Sequence, residues 1–152
     1  MGGAASTFLS SRHLLSDVLT ALDGKTPAVA EEGGIKVRIP NNPALQGWGS
    51  AQPAAEWRGV SVDEGGVVAI DLSACNILVS SSEQAAALGN SLGRLSRLHT
   101  ISLARNYLRD ISVPTLGRLT KLDLSRNQIH QPLPSGLGKC RALRMICLAN
   151  NR

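Results

Sequence analysis

Apolar side chains recur in the second half of the chain in a unit of eleven positions. In residues 119–129, positions 1, 4, 6 and 11 are apolar and position 9 is asparagine. Units that start at Val67, Leu98 and Leu143 repeat this pattern, with Cys75 at position 9 of the first unit. Positions 4 and 6 lie on one face of a strand because side chains alternate along it. The pattern predicts four short strands, each with one apolar face.

One strand of this kind cannot bury its apolar face alone, so we expect the units to stack as neighbouring parallel strands. Position 9 falls where the chain turns out of the strand, and an asparagine there can donate to and accept from buried backbone groups. The predicted core contains Ile70, Leu72, Ile101, Leu103, Leu122, Leu124, Ile146 and Leu148. The predicted side-chain ladder at position 9 contains Cys75, Asn106, Asn127 and Asn151.

The unit resembles the leucine-rich repeat, whose pattern is L-x-x-L-x-L-x-x-N/C-x-L. Residues 129–138 are similar to the return segment of the plant-type repeat, with Gln131 where that pattern has glycine. The resemblance implies an α/β solenoid with a parallel sheet on its concave face, short helical or extended return segments, and an N-terminal helical cap. It also implies a binding function rather than catalysis.

The chain divides into three predicted parts: an N-terminal helix and linker over 1–40, a cap over 41–66, and about four repeats over 67–152, the last incomplete. Apolar residues at helical spacing predict an amphipathic helix over 7–22, which we interpret as covering the first coil. Gly33-Gly34 indicates either a loose linker or a short hairpin. In the longer return segment of the first repeat, Ser81 or Ser82 is expected to begin a helix that Gly89 ends.

The cap segment is similar to the plant-type cap in Trp48, in Trp57 with the following Gly59-Val60, and in the first strand. Ala55 and Val62 occupy the places of two cysteines that form a disulfide in secreted family members. Their absence favours a reducing compartment. Both tryptophans are interpreted as packing residues.

Charge is divided unevenly along the chain. Residues 67–152 hold 11 Lys and Arg against 4 Asp and Glu, whereas residues 1–66 hold 5 against 7. A basic solenoid favours a partner with an acidic surface, which we expect to be a protein and not a nucleic acid. The alternative is that cations just before position 1, such as Arg94, Arg97 and Arg118, are merely solvated.

The resemblance places partner binding on the concave face, at the variable positions of each repeat. The candidate residues are His99, Ser102, Arg105, Lys121, Asp123, Arg126, Arg144 and Cys147. Arg105 and Arg126 lie on adjacent strands and suit a carboxylate or phosphate. Asp71 and Asp123 are expected to neutralise part of their charge.

The sequence predicts no enzyme, no cofactor and no metal site. The three cysteines form no C-x-x-C pair, and the three histidines are scattered. Cys75 and Cys140 fall on core positions, and Cys147 points outward.

Met1 to Ser6 fits the N-myristoylation pattern, with Gly2 as the acceptor. Three functions remain open at this stage: an intracellular adaptor, scaffold or structural subunit, a truncated receptor ectodomain that binds peptide or glycan, and a myristoylated recruiter at a membrane. The first implies a cytoplasmic location, with membrane or cytoskeletal association open. Because no polar cap follows the last unit, we expect a fragment, an engineered boundary, or a partner over that end.

Overall fold

The structure of the chain, a computed structural model, describes residues 3–23, 28–32, 35–39, 42–50 and 52–152. Its helices are α1 (Gly3–Asp23) and α2 (Ser82–Gly93). Its strands are β1 (Ala28–Glu32), β2 (Ile35–Ile39), β3 (Val60–Asp63), β4 (Gly66–Asp71), β5 (Leu78–Val79), β6 (Thr100–Ser102), β7 (Tyr107–Leu108), β8 (Lys121–Asp123) and β9 (Met145–Cys147). Short 3-10 helices cover Pro43–Leu45, Ala54–Glu56 and Ser135–Lys139.

The main sheet has five strands in the order β3-β4-β6-β8-β9. The four repeat strands are parallel, and Ile70, Ile101, Leu122 and Ile146 are aligned across them. β3 pairs antiparallel with β4 and starts the sheet on the cap side. The predicted register, and with it the α/β solenoid, is confirmed.

The side chains at position 4 of the repeat strands point toward the core. Ile70, Ile101 and Leu122 are at most 2% exposed, because a neighbouring coil covers each of them on both sides. Ile146 is 41% exposed, so its predicted place in the core is wrong. β9 forms the edge of the sheet, and nothing in the described chain packs on its far side.

A second, two-stranded parallel sheet was not predicted. β5 and β7 pair after the turn that follows each main strand. Val79 and Leu108 point into the core and are fully buried. Alternation along the strand therefore turns Leu78 and Tyr107 outward.

α2 forms the return segment of the first repeat. The Ser81 side chain caps the helix by accepting a hydrogen bond from the Gln84 amide, as predicted. The prediction that Gly89 ends the helix is wrong, since α2 continues to Gly93 and buries Leu92. Gly89 is buried inside the helix, where a Cβ atom would lie 2.6 Å from the Ser112 carbonyl oxygen.

A similar approach occurs one coil further on. A Cβ atom at Gly136 would lie 2.0 Å from the Val113 carbonyl oxygen. The backbone of residues 112–113 is therefore enclosed by a glycine of the preceding return segment and a glycine of the following one. Close contacts at these two glycines therefore limit the spacing of the return segments.

The N-terminal helix is longer than predicted and lies against α2 and β4. Its buried side chains include Leu15, Val18 and Leu19. These are apolar positions of the amphipathic pattern, and their burial covers the first coil. β1 and β2 form an antiparallel pair, so the hairpin alternative holds there, while residues 33–34 lie outside the described residues.

Trp48 and Trp57 pack together beneath the first coil. Their ring centroids are 5.6 Å apart and both residues are at most 2% exposed. Each indole N–H donates to a backbone carbonyl, that of Arg58 and that of Gln52 respectively. Their predicted packing role is confirmed.

Candidate binding surface

The face of the main sheet that points away from the core, here called the solvent face, carries positions 3 and 5. Lys121 is exposed, whereas Ser102, Asp123 and Cys147 are half-buried. Register places Ser102, Asp123 and Cys147 side by side on successive strands. The structure therefore brings these four predicted site residues together.

Two carboxylates on this face are held by local hydrogen bonds. The Asp71 Oδ1 atom accepts from the Ser73 amide at 3.0 Å and from its hydroxyl at 2.7 Å. Asp123 and Ser125 repeat the arrangement with the same two distances. The sequence shows Asp-Leu-Ser in both repeats, a signal that could have predicted these contacts.

Arg105 and Arg126 lie beyond the ends of the strands, in the turns that lead to the second sheet. Their φ angles are +57° and +56°, in the left-handed region that non-glycine residues seldom adopt. The Arg105 amide donates to the Ser125 carbonyl at 2.9 Å, which ties adjacent turns together. Both side chains are exposed. We call this pair the arginine ridge; it borders the solvent face.

The cations of this surface have no acidic partner within the described chain. The ion pairs found there join Arg94 to Asp17 and Arg97 to Asp63. Asp71 and Asp123 form no ion pair with Arg105 or Arg126 in the described chain, and the Oδ1 atom of each accepts from a serine. The exposed cations left available are Arg105, Lys121, Arg126 and Arg144.

His99 and Arg144 lie at position 2, just before the strands. His99 is half-buried and its carbonyl accepts from the Thr120 hydroxyl at 2.9 Å. Among the described residues, no hydrogen bond joins the His99 ring to Ser102, whose hydroxyl instead contacts that of Ser73 at 2.7 Å. No His–Ser pair of the kind used in nucleophilic catalysis forms at this point of the sheet.

The position 9 residues form the predicted ladder. Each asparagine side chain accepts from a backbone amide of the preceding coil: Asn106 from Ile77, Asn127 from Leu108, and Asn151 from Ile129. Cys75 takes part only weakly, through a 3.5 Å contact from its thiol to the Ser73 carbonyl.

Asn42 of the cap supplies a side-chain amide at the start of the ladder. The sequence analysis did not predict this contact. Its Nδ2 atom donates to the Cys75 carbonyl at 2.8 Å. The carbonyl of the weakly bonding cysteine is therefore satisfied from outside the repeats.

The cysteines differ in exposure as predicted. Cys75 and Cys140 are buried, and Cys147 is half-buried on the solvent face. Burial raises the pKa of the Cys75 thiol. No group of three metal-binding side chains occurs within the described chain. Gly2, the candidate acylation site, lies outside the described residues.

A family model described as Leucine Rich Repeat matches residues 118–140, the third repeat with its return segment. Residues 118–140 are thus a leucine-rich repeat, and the stacked parallel strands give the described chain the fold of a leucine-rich-repeat solenoid. A curated relative is Protein BRASSINOSTEROID INSENSITIVE 1 of Arabidopsis thaliana, 28% identical over 117 residues. That match covers 74% of this leucine-rich-repeat chain and only 9% of the relative.

Two solved Arabidopsis thaliana structures share the fold of this leucine-rich-repeat chain. The BIR2 ectodomain has a TM-score of 0.60 and 22% identity, with 90% of this chain and 68% of that one covered. The BIR3–SERK2 complex gives a TM-score of 0.55 at 22% identity, covering 99% and 68%. These similarities show the fold of the chain. None of the described helices is long and apolar enough to cross a membrane.

Proposed function

We propose that this chain is a non-catalytic module that binds an acidic protein segment across the solvent face and the arginine ridge. The observation that carries the proposal is the set of exposed cations on three successive coils, none of them paired with a carboxylate in the described chain. Two guanidinium groups on hydrogen-bonded turns can bind neighbouring carboxylates of one segment.

The setting we propose is an intracellular adaptor or scaffold, in the cytoplasm. Its support is the cap, where Trp48 and Trp57 pack without the cysteine pair, because Ala55 and Val62 stand at those positions. A cap that needs no disulfide is compatible with a reducing compartment.

A second candidate is part of a receptor ectodomain that binds a peptide. The identity to Protein BRASSINOSTEROID INSENSITIVE 1 over most of this chain favours it, as does the similarity of fold to the BIR2 ectodomain. The BIR3–SERK2 structure is described as a complex, which supports a protein as partner in either setting.

The binding proposal is tested with a library of displayed peptides selected on the whole chain. We expect acidic sequences to be enriched, and we expect the double variant Arg105→Glu, Arg126→Glu to lose them. The matched control reverses Arg118 and Arg141, two exposed arginines away from the ridge, and so has the same net charge. Equal loss in both variants would show that only net charge matters, and no loss in either would remove the ridge from the site.

The setting is tested separately by protease protection of the tagged protein in cells of its source. Protection inside intact cells supports the adaptor, and digestion by external protease supports the ectodomain. Intact mass measurement of the same material decides whether Gly2 is acylated, a prediction on which the third function depends.

A further inference from the structure

The outward face of the second sheet begins a strip that continues onto the third coil. Leu78 and Tyr107 are aligned on β5 and β7. Arg109 is exposed just past the end of β7, and its amide donates to the Val79 carbonyl at 2.9 Å. The Gln128 amide donates to the Leu108 carbonyl at 2.9 Å, which places Gln128 beside Arg109 on the next coil. We call Leu78, Tyr107, Arg109 and Gln128, together with the exposed His130, the lateral strip.

One end of the lateral strip is apolar. Leu78 is 51% exposed and Tyr107 is 47% exposed, although Val79 and Leu108 beside them are fully buried. Neighbouring strands lie about 4.8 Å apart, so the two side chains form one contiguous patch. Single exposed apolar residues are ordinary, whereas an aligned pair on one sheet face provides an anchoring surface.

The other end carries one cation, Arg109, which forms no ion pair among the described residues. Arg109 donates from Nε to the Gln128 side-chain oxygen at 3.4 Å, which leaves its terminal guanidinium nitrogens available. The adjacent Asp110 accepts from the Ser82 hydroxyl and from the Ile111 amide, and forms no ion pair with Arg109 in the described structure. The sequence contains no Asp or Glu after Asp123.

We propose that the lateral strip docks an extended protein segment in which an apolar side chain is followed two positions later by a carboxylate. Arg109 lies two residues after Tyr107, just past the end of β7, and the amides of both residues donate to carbonyls of the first coil. In an extended chain, residues two apart are separated by roughly 6.6 Å. Residues i and i+2 of an extended peptide have the same separation and point to the same side. The apolar side chain contacts Leu78 and Tyr107, and the carboxylate accepts from Arg109.

An anionic membrane surface could also bind apolar and cationic groups, but the arrangement favours a peptide. Membrane-surface sites place apolar residues where they enter the headgroup region together, with cations on the surrounding polar face. Here Leu78 lies beside Tyr107 on the neighbouring strand, and one cation, Arg109, follows Tyr107 along the chain at the i to i+2 spacing of an extended segment.

This surface is distinct from the arginine ridge and the solvent face, so its test can fail while the proposed function stands. The chain contains a single tyrosine, and it lies in the strip. Replacement of tyrosine by 3-fluorotyrosine therefore gives one fluorine NMR signal that reports on Tyr107.

Two acetylated and amidated peptides serve as probes. Both contain phenylalanine, serine and a charged residue between glycine–serine flanks, with glutamate in one and lysine in the other. We expect the glutamate peptide alone to shift the signal. We expect Arg109→Glu to weaken that binding by at least about tenfold, because a hydrogen-bonded charge contact is replaced by repulsion. The control Arg118→Glu carries the same charge change at an exposed position off the strip and should leave binding unchanged.

Three results would overturn the proposal. The lysine peptide could bind equally well, Arg118→Glu could weaken binding as much as Arg109→Glu, or neither peptide could shift the signal. A shift produced only by phosphatidylserine vesicles falls under the last result and assigns the strip to a membrane surface instead. Leu78→Ser provides a second check of the proposed site. It removes the apolar contact at an exposed position and should therefore weaken binding of the glutamate peptide. Urea unfolding curves of each variant confirm that the chain is folded.

Discussion

Replacing Asn106 by alanine should destabilise this chain more than any other single change in the ladder. The Asn106 side chain accepts from the amides of Cys75 and Ile77 at 3.1 and 3.0 Å. It also donates to the carbonyls of Leu72 and Leu103 at 2.9 and 3.0 Å. All of these contacts are buried, so water cannot replace the lost partners.

The expected magnitude follows from the two amides that lose their acceptor. A buried polar group without a partner costs about 1–3 kcal/mol, so Asn106→Ala should cost roughly 2–6 kcal/mol. Asn151→Ala removes an acceptor from only one amide, that of Ile129, at a half-buried site. Water can reach that site, and about 1 kcal/mol is expected. Asn90→Ala, exposed on α2, should stay within about 0.5 kcal/mol.

The assay is equilibrium unfolding in urea, followed by the fluorescence of the buried Trp48 and Trp57. Circular dichroism on the same samples tests whether both probes report one transition, as a two-state comparison requires. A loss below about 1 kcal/mol for Asn106→Ala, or a loss no greater than that for Asn151→Ala, would refute the argument that unsatisfied turn amides set the cost.

Three further experiments test other parts of the structure. Leu124→Ala opens a fully buried position and should cost roughly 2–5 kcal/mol in urea unfolding; a loss under about 0.5 kcal/mol would mean that it is not core. Thiol labelling at neutral pH should modify the half-buried Cys147 before the buried Cys75, whose raised pKa also reduces thiolate; mass spectrometry of the labelled peptides shows the order, and the reverse order contradicts it. The hydrogen bond from Arg97 lowers the pKa of Asp63 below its usual value of 3.8. The ionised Asp63 therefore stabilises the folded chain above that pH, and this contribution is lost as the pH falls through the lowered pKa. Asp63→Asn should therefore be less stable than the parent at pH 7 and converge with it in acid, and a constant difference across that range would contradict the assignment.

The sequence predicts the sheet well because the strand period is local. Alternation places Ile101 and Leu103 on one side of the chain, and likewise Leu122 and Leu124, and only stacking of the repeats could bury those sides. The asparagine ladder follows from the same reasoning, because a turn that leaves amides unpaired requires a side chain such as Asn127.

The parts that were missed depend on contacts between coils. Whether Gly89 ends a helix or lies inside one is decided by Ser112 of the next coil, which the local sequence does not reveal. The second sheet requires residues of one coil to pair with residues of the next at a different position in the repeat. Leu78 is at position 12 and Tyr107 at position 10, so alignment of equivalent positions does not predict that pairing.

The candidate site was only partly predictable for a related reason. Arg105 and Arg126 were expected among the strand residues, but the strands are three residues long and end before position 8. The left-handed turn there redirects both side chains to the edge of the face. The hydrogen bonds that hold Asp71 and Asp123 beside Ser73 and Ser125 are formed as the chain leaves the strand for the same turn.

The close contacts at the backbone of residues 112–113 affect the geometry of the distant binding face. The curvature of a solenoid depends on the difference in spacing between its two sides. Alanine at Gly136 would force the return segments of the second and third coils apart, while the hydrogen-bonded strands hold their own separation. The array would then bend more tightly around the sheet and change the angle between Arg105 and Arg126. Affinity for a partner could thus be altered by one methyl group on the opposite side of the molecule.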